Sequence, residues 1–291
     1  MTVFDLLQAS PAYLITTVTV LGLIVGSFLN VVIHRLPRML QREWHQQCRE
    51  LLELAPEQDG GQTFNLALPA SHCPHCGAGI PPWDNIPLIS YLWLRGRCRH
   101  CGTPISFRYP LVELLTGLLS AILAWQLGLG WPLLAGLVFT WALIALCFID
   151  LEHQLLPDQI TQPLLWLGLL LALPGYFTSL PAALFGAAFG YLSLWLIFHA
   201  YRLLTGKQGF GYGDFKLLAA LGAWLGWQQL PLVILLASVS GALLGISLIL
   251  LRRHHLQKPL PFGPYLAISG WIGLLWGNDI LQAYLRLAGL A

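Results

Sequence analysis

The sequence predicts an all-α polytopic membrane protein of about eight transmembrane helices, with a loop-rich cytoplasmic insertion after the first. Three observations carry this. Hydrophobic residues fill 56% of the 291 positions and charged residues only 10%, with a mean hydropathy of +0.67, whereas a soluble chain carries about 25% charged residues. Apolar runs of spanning length recur with short polar breaks between them. The basic residues gather in a few of those breaks. A net charge of +2 and an isoelectric point near 8.2 are too mild for a nucleic-acid partner. None is expected; the surroundings implied are membrane lipid.

Residues 11–33 form the first uncharged run, long enough at the helical rise to cross a hydrocarbon core of about 30 Å. No basic cluster precedes it and it is too long for a signal peptide, so it reads as a retained helix. It closes on Gly26-Ser27-Phe28-Leu29-Asn30, whose small residues suit close helix packing. An aqueous segment follows, to residue 110. Its middle, 43–59, is polar and acidic, with Leu51, Leu52 and Leu54 on one helix face. Its second half, rich in Cys, Pro and Gly, reads as a small loop-rich module. The runs 111–129, 131–149, 160–177, 181–199, 215–227, 231–251 and 264–287 complete the spans. The run 215–227 is short, and Gly277-Asn278-Asp279 interrupts the last. Three domains follow: a first span (1–33), an insertion (34–110) and a membrane-embedded core (111–291).

Charge placement tests the count. With eight spans, Arg35, Arg38, Arg42, Arg49, Arg95, Arg97, Arg99 and Arg108 lie on the same face as Arg202, Lys207 and Lys216 and as Arg252, Arg253 and Lys258. Of the 15 Lys and Arg only Arg286 falls opposite. The positive-inside rule makes the crowded face cytoplasmic. Asp150, closing the third span, and Asp214, opening the sixth, both emerge on it.

Cys73-Pro74-His75-Cys76 and Cys98-Arg99-His100-Cys101 form two CxxC pairs in the insertion. Each pair sits on a tight turn with both sulfurs turned inward, and two such turns complete a tetrahedral four-sulfur site suited to Zn2+. Two disulfides or idle thiols are the competing readings, the disulfides disfavoured where thiols stay reduced. Four thiolates leave no open position, so the metal is structural. Cys48 and Cys147 have no pairing logic.

A carboxylate at membrane depth is costly and marks function. Asp214 sits in Gly209-Phe210-Gly211-Tyr212-Gly213-Asp214-Phe215-Lys216, and Asp150 in Ile149-Asp150-Leu151-Glu152-His153. Two aspartates held close in a medium of low dielectric do not both ionise. One keeps a proton and polarises a peptide carbonyl, while the other draws a proton from the attacking water. Gly211 and Gly213 admit backbone conformations closed to other residues and let a substrate strand pass close. The plainer alternatives are a helix-end acid in headgroup water for Asp150 and an N-cap for Asp214. Glu152, His153 and Asp158 shape or solvate the loop. Lys216 either tunes Asp214 or snorkels to the interface. Glu113 falls inside the second span and has no interfacial explanation.

The run from Gly26 to Pro37, the double CxxC enclosing Asn85-Ile86-Pro87 and Ser90-Tyr91-Leu92, Arg108-Tyr109-Pro110, the stretch 150–158 and Gly211-Tyr212-Gly213-Asp214 together resemble the bacterial prepilin peptidases, inner-membrane aspartic proteases of the GxGD type. The resemblance implies that Asp150 and Asp214 are the catalytic pair. It implies as substrates type IV prepilins and type II secretion pseudopilins, cut after the glycine that ends a basic leader at the cytoplasmic membrane face. It also implies N-methylation of the new N-terminus with S-adenosylmethionine as methyl donor, and a part for the cysteine-bearing loop in that step. The acids Glu43, Glu50, Glu53, Glu57 and Asp59 either attract the basic leader or form a solvated helix face. Two other classes compete: an ion-coupled transporter relaying protons through Asp150, Asp214 and Glu113, and a non-catalytic assembly scaffold docking through the cysteine module.

Overall fold

In the computed structural model the described residues are 3–54, 64–206, 211–250 and 261–289, and among them there is no β-strand, only two isolated bridges. Glu57, Asp59, Lys207, Gly209, Phe210, Arg252, Arg253 and Lys258 lie outside the described residues. The chain divides into two compact units, Met1–Leu129 and Gly130–Ala291.

The first unit contains α1 (Val3–Ala9), α2 (Pro11–Leu51), a 3-10 turn at Pro82–Asn85, α3 (Ile89–Trp93) and α4 (Arg108–Leu127). Helix α2 does not stop where the apolar run stops. Its 41 residues reach about 60 Å, twice a hydrocarbon core. Pro37 on its own argues for a break. Leu36, Pro37 and Leu40 are nonetheless buried, and the residues that follow, rich in Arg, Gln, Glu and Leu, are strong helix formers. The helix ends at Leu51, so Leu52 and Leu54 lie beyond it, and all three leucines are exposed.

Helices α2 and α4 pack antiparallel, residue 22 facing 116–120, 26 facing 113 and 30 facing 109. Small residues make the approach possible. A Cβ on Gly26 would come within 2.7 Å of the Glu113 Cα, and one on Gly117 within 2.7 Å of Leu23. Asn30 crosses the seam with its Nδ2, donating to the Tyr109 carbonyl at 3.1 Å. Beyond the pair, Arg35 is buried and donates to the carbonyls of Asn65 (3.0 Å), Leu66 (3.3 Å) and Pro69 (2.6 Å). It ties the cysteine-bearing segment back to α2.

The second unit is built around α8. Its helices are α5 (Trp131–His153), α6 (Asp158–Leu171), α7 (Leu180–Thr205), α8 (Tyr212–Leu225), α9 (Leu230–Leu250) and α10 (Gly263–Leu287). Helix α8 is apolar on every side after Lys216 and buried along almost its whole length, as a helix ringed by others must be. Helices α6, α7 and α10 pack on it. The α7 contact is backbone on backbone: a Cβ on Gly186 or on Gly222 would come within 2.1 Å of the other's carbonyl oxygen. On the α6 side Trp224 lies against Gly168, donates its Nε1–H to the Leu164 carbonyl at 2.8 Å and meets Phe139 at 4.7 Å between ring centroids.

Among the described residues five helical segments are long and apolar enough to cross a membrane: Pro11–Leu51, Arg108–Leu127, Trp131–His153, Leu180–Thr205 and Trp227–Ser247. Helices α6 and α8 have 14 residues each, about 21 Å of helix. Helix α10 runs unbroken for 25 residues through Gly277-Asn278-Asp279. That stretch is a contact: the Asn278 Oδ1 accepts a hydrogen bond from Gln229 Nε2 at 2.7 Å, and Gly277 leaves room for the Gln229 amide.

Candidate active site and cysteine centre

Asp150 lies in the last turn of α5 and is 5% exposed; Asp214 lies in the first turn of α8 and is 7% exposed. Both belong to the second unit and are near enough for their charges to interact. The chain turns sharply after Asp150. Gln154 caps α5 in the left-handed region (φ 52°), with its N–H on the Asp150 carbonyl at 2.9 Å. Pro157 then opens α6.

Each carboxylate rests on one backbone N–H at the start of a helix. Asp214 Oδ2 accepts the N–H of Gly211, the N-cap of its own helix, at 3.2 Å. Asp214 is therefore the third helical residue and not the N-cap, and Gly211 has no side chain with which to complete a reciprocal box. Asp150 Oδ2 accepts the N–H of Gly263, at the start of α10, at 3.0 Å. A helix N-terminus carries partial positive charge and free N–H groups, which suits a carboxylate.

The sequence left Gly263 unremarked. The signal was present in Pro261-Phe262-Gly263-Pro264, a glycine wedged before a helix-opening proline. A Cβ there would come within 2.6 Å of Asp150 Oδ2 and 3.2 Å of Leu156 Cδ1. Leu156 also faces the other acid's neighbour, since a Cβ on Gly213 would come within 2.8 Å of its Cβ. The stretch after Asp150, the helix start bearing Asp214 and the helix start holding Asp150 thus converge on one buried leucine. The expected role of the two motif glycines changes accordingly. Gly213 is helical and is required for close approach to Leu156, while Gly211 (φ −85°, ψ 149°) has a backbone conformation open to any residue.

Lys216 neither snorkels freely nor bonds Asp214. Its Nζ lies 2.8 and 2.7 Å from the two carboxylate oxygens of Asp158, joining the starts of α6 and α8. The pair is partly exposed, which limits it to about 0–1 kcal/mol of stability.

In the first unit the four CxxC cysteines come together, with their sulfurs all within 4.8 Å of one another. None is in a disulfide. The two pairs form matching turns. Cys73 N–H donates to the Ala78 carbonyl and Cys98 N–H to that of Thr103, both at 2.9 Å, and Gly77 and Gly102 follow the second cysteines at φ +70° and +69°. Cys73 Sγ and Cys101 Sγ are 3.8 Å apart, the separation of about 3.8 Å that bonds of 2.3 Å in a tetrahedron require. The donor set therefore fits a metal ion with four thiolate ligands. The Thr103 hydroxyl, 3.2 Å from Cys101 Sγ, and then the Thr103 N–H push the Cys101 thiol down to about 6. The N–H groups of Cys76 and His75 lower Cys73. Both shifts favour the thiolate that binds metal. At Cys76 the Ala78 N–H is outweighed by burial and the sulfurs of Cys73, Cys101 and Cys98, which push the thiol up to about 11. Arg99 forms a bidentate ion pair with Asp84, Nε to Oδ2 at 2.7 Å, and fastens the second turn to residues 82–85. The guanidinium holds the Asp84 carboxyl below its ordinary range.

Comparison with known proteins fits this arrangement. Residues 20–127 match the bacterial peptidase A24 N-terminal domain, and residues 137–246 match the type IV leader peptidase family. The chain belongs to the type IV leader peptidase family. It is 59% identical over 281 residues to the prepilin leader peptidase/N-methyltransferase of Aeromonas hydrophila, covering 97% of each chain. The corresponding protein of Stutzerimonas stutzeri is 56% identical over 100% of each, and that of Pseudomonas aeruginosa 56% over 99% of each. No solved structure matches the chain. The second family match contains both aspartates and stops short of Gly263; the first contains the four cysteines. The names of these relatives give the transporter alternative no support.

Proposed function

We propose that this membrane protein removes the leader peptide from prepilins with Asp150 and Asp214 as its catalytic pair, and N-methylates the residue so exposed. The observation that carries the reading is the pair itself: two buried carboxylates from separate helix ends, within electrostatic reach, in a chain of the leader peptidase family. Each is oriented by one backbone N–H on Oδ2. With one proton between them, the protonated acid hydrogen-bonds the scissile carbonyl and the ionised one takes a proton from water as it attacks the carbonyl carbon. The proton then passes to the leaving amine, which restores the pair.

The cut lies at the cytoplasmic face of the inner membrane, after the glycine that ends a basic leader. Both aspartates stand at helix ends on the side where the sequence places its arginines and lysines, and a Lys/Arg-rich leader stays on that side by the same rule. Pseudopilins of type II secretion, which present the same kind of leader on the same kind of helix, are substrates too.

Cys73, Cys76, Cys98 and Cys101 hold Zn2+ in a closed, structural site. Protein purified without chelator is expected to contain about one zinc per chain by metal analysis, as a four-thiolate site retains. A clearly substoichiometric content would count against it. S-adenosylmethionine, when bound, supplies the methyl group. The test of the whole reading is mass spectrometry of a prepilin incubated with the detergent-purified enzyme. Loss of the leader is expected with or without S-adenosylmethionine, and a gain of one methyl only with it. An intact prepilin would overturn the peptidase reading.

A further inference from the structure

The first unit contains a cavity of about 520 Å³ between the α2–α4 pair and the cysteine turns, and none of the peptidase chemistry uses it. Two buried acceptors stand in its wall. Glu113 lies within the membrane-spanning helix α4 and is 9% exposed. Among the described residues its carboxylate meets the Leu88 N–H at 2.9 Å and the Ser27 side chain, and no cation is among its partners. Asn30, 3% exposed, uses its Nδ2 on the carbonyls of Gly26 and Tyr109, and its Oδ1 is buried with no hydrogen-bond partner. An intramembrane carboxylate without a counter-ion is a mark of function, and a buried acceptor without a donor needs a reason. Of the guanidiniums in the same wall, Arg35 holds three backbone carbonyls and Arg99 holds Asp84, and Arg38, which also lines it, is not among the partners of Glu113. Tyr91 adds aromatic surface to the wall, whereas the rings of Phe64 and Tyr109 already face Arg42 (4.4 Å) and Arg108 (4.8 Å).

We propose that Glu113, together with Asn30 Oδ1, binds the cationic centre of a methyl-transfer reactant in this cavity. The inference rests on the methyltransferase reading above and gives it a place. Methyl transfer to an amine brings two onium groups to one site, the sulfonium of the donor and the terminal ammonium of the trimmed pilin before it loses its proton. Both need what this wall provides: a negative oxygen and a second free acceptor, with the Tyr91 ring beside them. The cavity is also large enough for a nucleoside with an amino-acid tail, within the usual range of about 300–1,000 Å³ for ligand pockets.

Binding tests this without relying on turnover. S-adenosylmethionine and its neutral product S-adenosylhomocysteine are compared on the detergent-purified full chain, as are a mature-pilin N-terminal peptide with a free amine and the same peptide acetylated. At least one charged probe is expected to bind about tenfold or more better than its neutral counterpart, as a charge-assisted contact gives. Glu113→Gln is expected to erase that preference, and Glu113→Asp to restore part of it. Collapse in the first comparison identifies the sulfonium as the bound group, and collapse in the second the ammonium. A preference that survives Glu113→Gln in both comparisons, or its absence in wild type, overturns the proposal. Should the variants not fold, carbodiimide labelling of wild-type Glu113 gives the answer: the charged probe must slow it several-fold more than the neutral one, and equal rates overturn the proposal. Methylation of trimmed pilin by the wild-type preparation is read alongside. If no methyl is transferred at all, the methyltransferase reading itself has failed; if it is transferred and Glu113 is indifferent, only the site has.

Discussion

Leader removal by Asp150→Asn or by Asp214→Asn is expected to fall by about 10²–10⁴-fold or more, the range over which a positioned acid or base contributes. Asparagine keeps the volume of the side chain and an oxygen able to accept the Gly263 or Gly211 N–H. The fold should therefore survive, and the loss should sit in kcat with little change in KM. Either amide leaves the pair unable to hold one proton and offer one base at once. Methylation of a pilin that has already been trimmed should continue in both variants. A variant that still cuts at near the wild-type rate in membranes would remove that aspartate from the chemistry.

The second large effect is expected from Gly263→Ala. The new methyl lands 2.6 Å from Asp150 Oδ2 and 3.2 Å from Leu156 Cδ1, so the carboxylate must turn away from the helix start that orients it. A displacement of about 1 Å at a catalytic group is worth on the order of 10²-fold in rate, while overpacking of this size costs about 1–3 kcal/mol of stability. The expected result is a chain that remains folded by thermal unfolding and has lost most of its kcat. Adding Leu156→Ala relieves only the second of the two contacts. It is expected not to recover the rate, and as the loss of a buried leucine it costs stability of its own; recovery of the rate would mean that crowding at Leu156, and not the position of Asp150, caused the loss.

How far the sequence alone led depends on which interactions are local. The two aspartates stand out as candidates because a carboxylate at the edge of an apolar run has few uses, and the four cysteines come together as expected because CxxC turns are self-contained. Helix ends were legible only where the chain itself stops the helix. Residues 34–51 read as the start of an aqueous segment, since Pro37 and the arginines mark a break in hydropathy, yet the helix former content and the burial of Leu36, Pro37 and Leu40 carry α2 through. Gly277-Asn278-Asp279 read as an interruption for the same reason, and becomes a contact once Gln229 is beside it. Tertiary partners were not legible at all. Nothing local to Gly263 says that its N–H reaches an aspartate 113 positions earlier. Nor does anything near Lys216 say that it takes Asp158 in preference to the acid two residues away. The same holds for Gly213, whose value lies in leaving space for Leu156 and not in backbone freedom.

The most direct test of the shared-proton pair is the rate of leader removal by the double variant Asp150→Asn/Asp214→Asn, set against the two single variants and wild type under one substrate concentration series. If the carboxylates act as one unit, the double variant is about as slow as the slower single, because the first substitution has already disabled both. If the two losses multiply, as they do for sites that act independently, the aspartates are not a pair and the account of this active site is wrong.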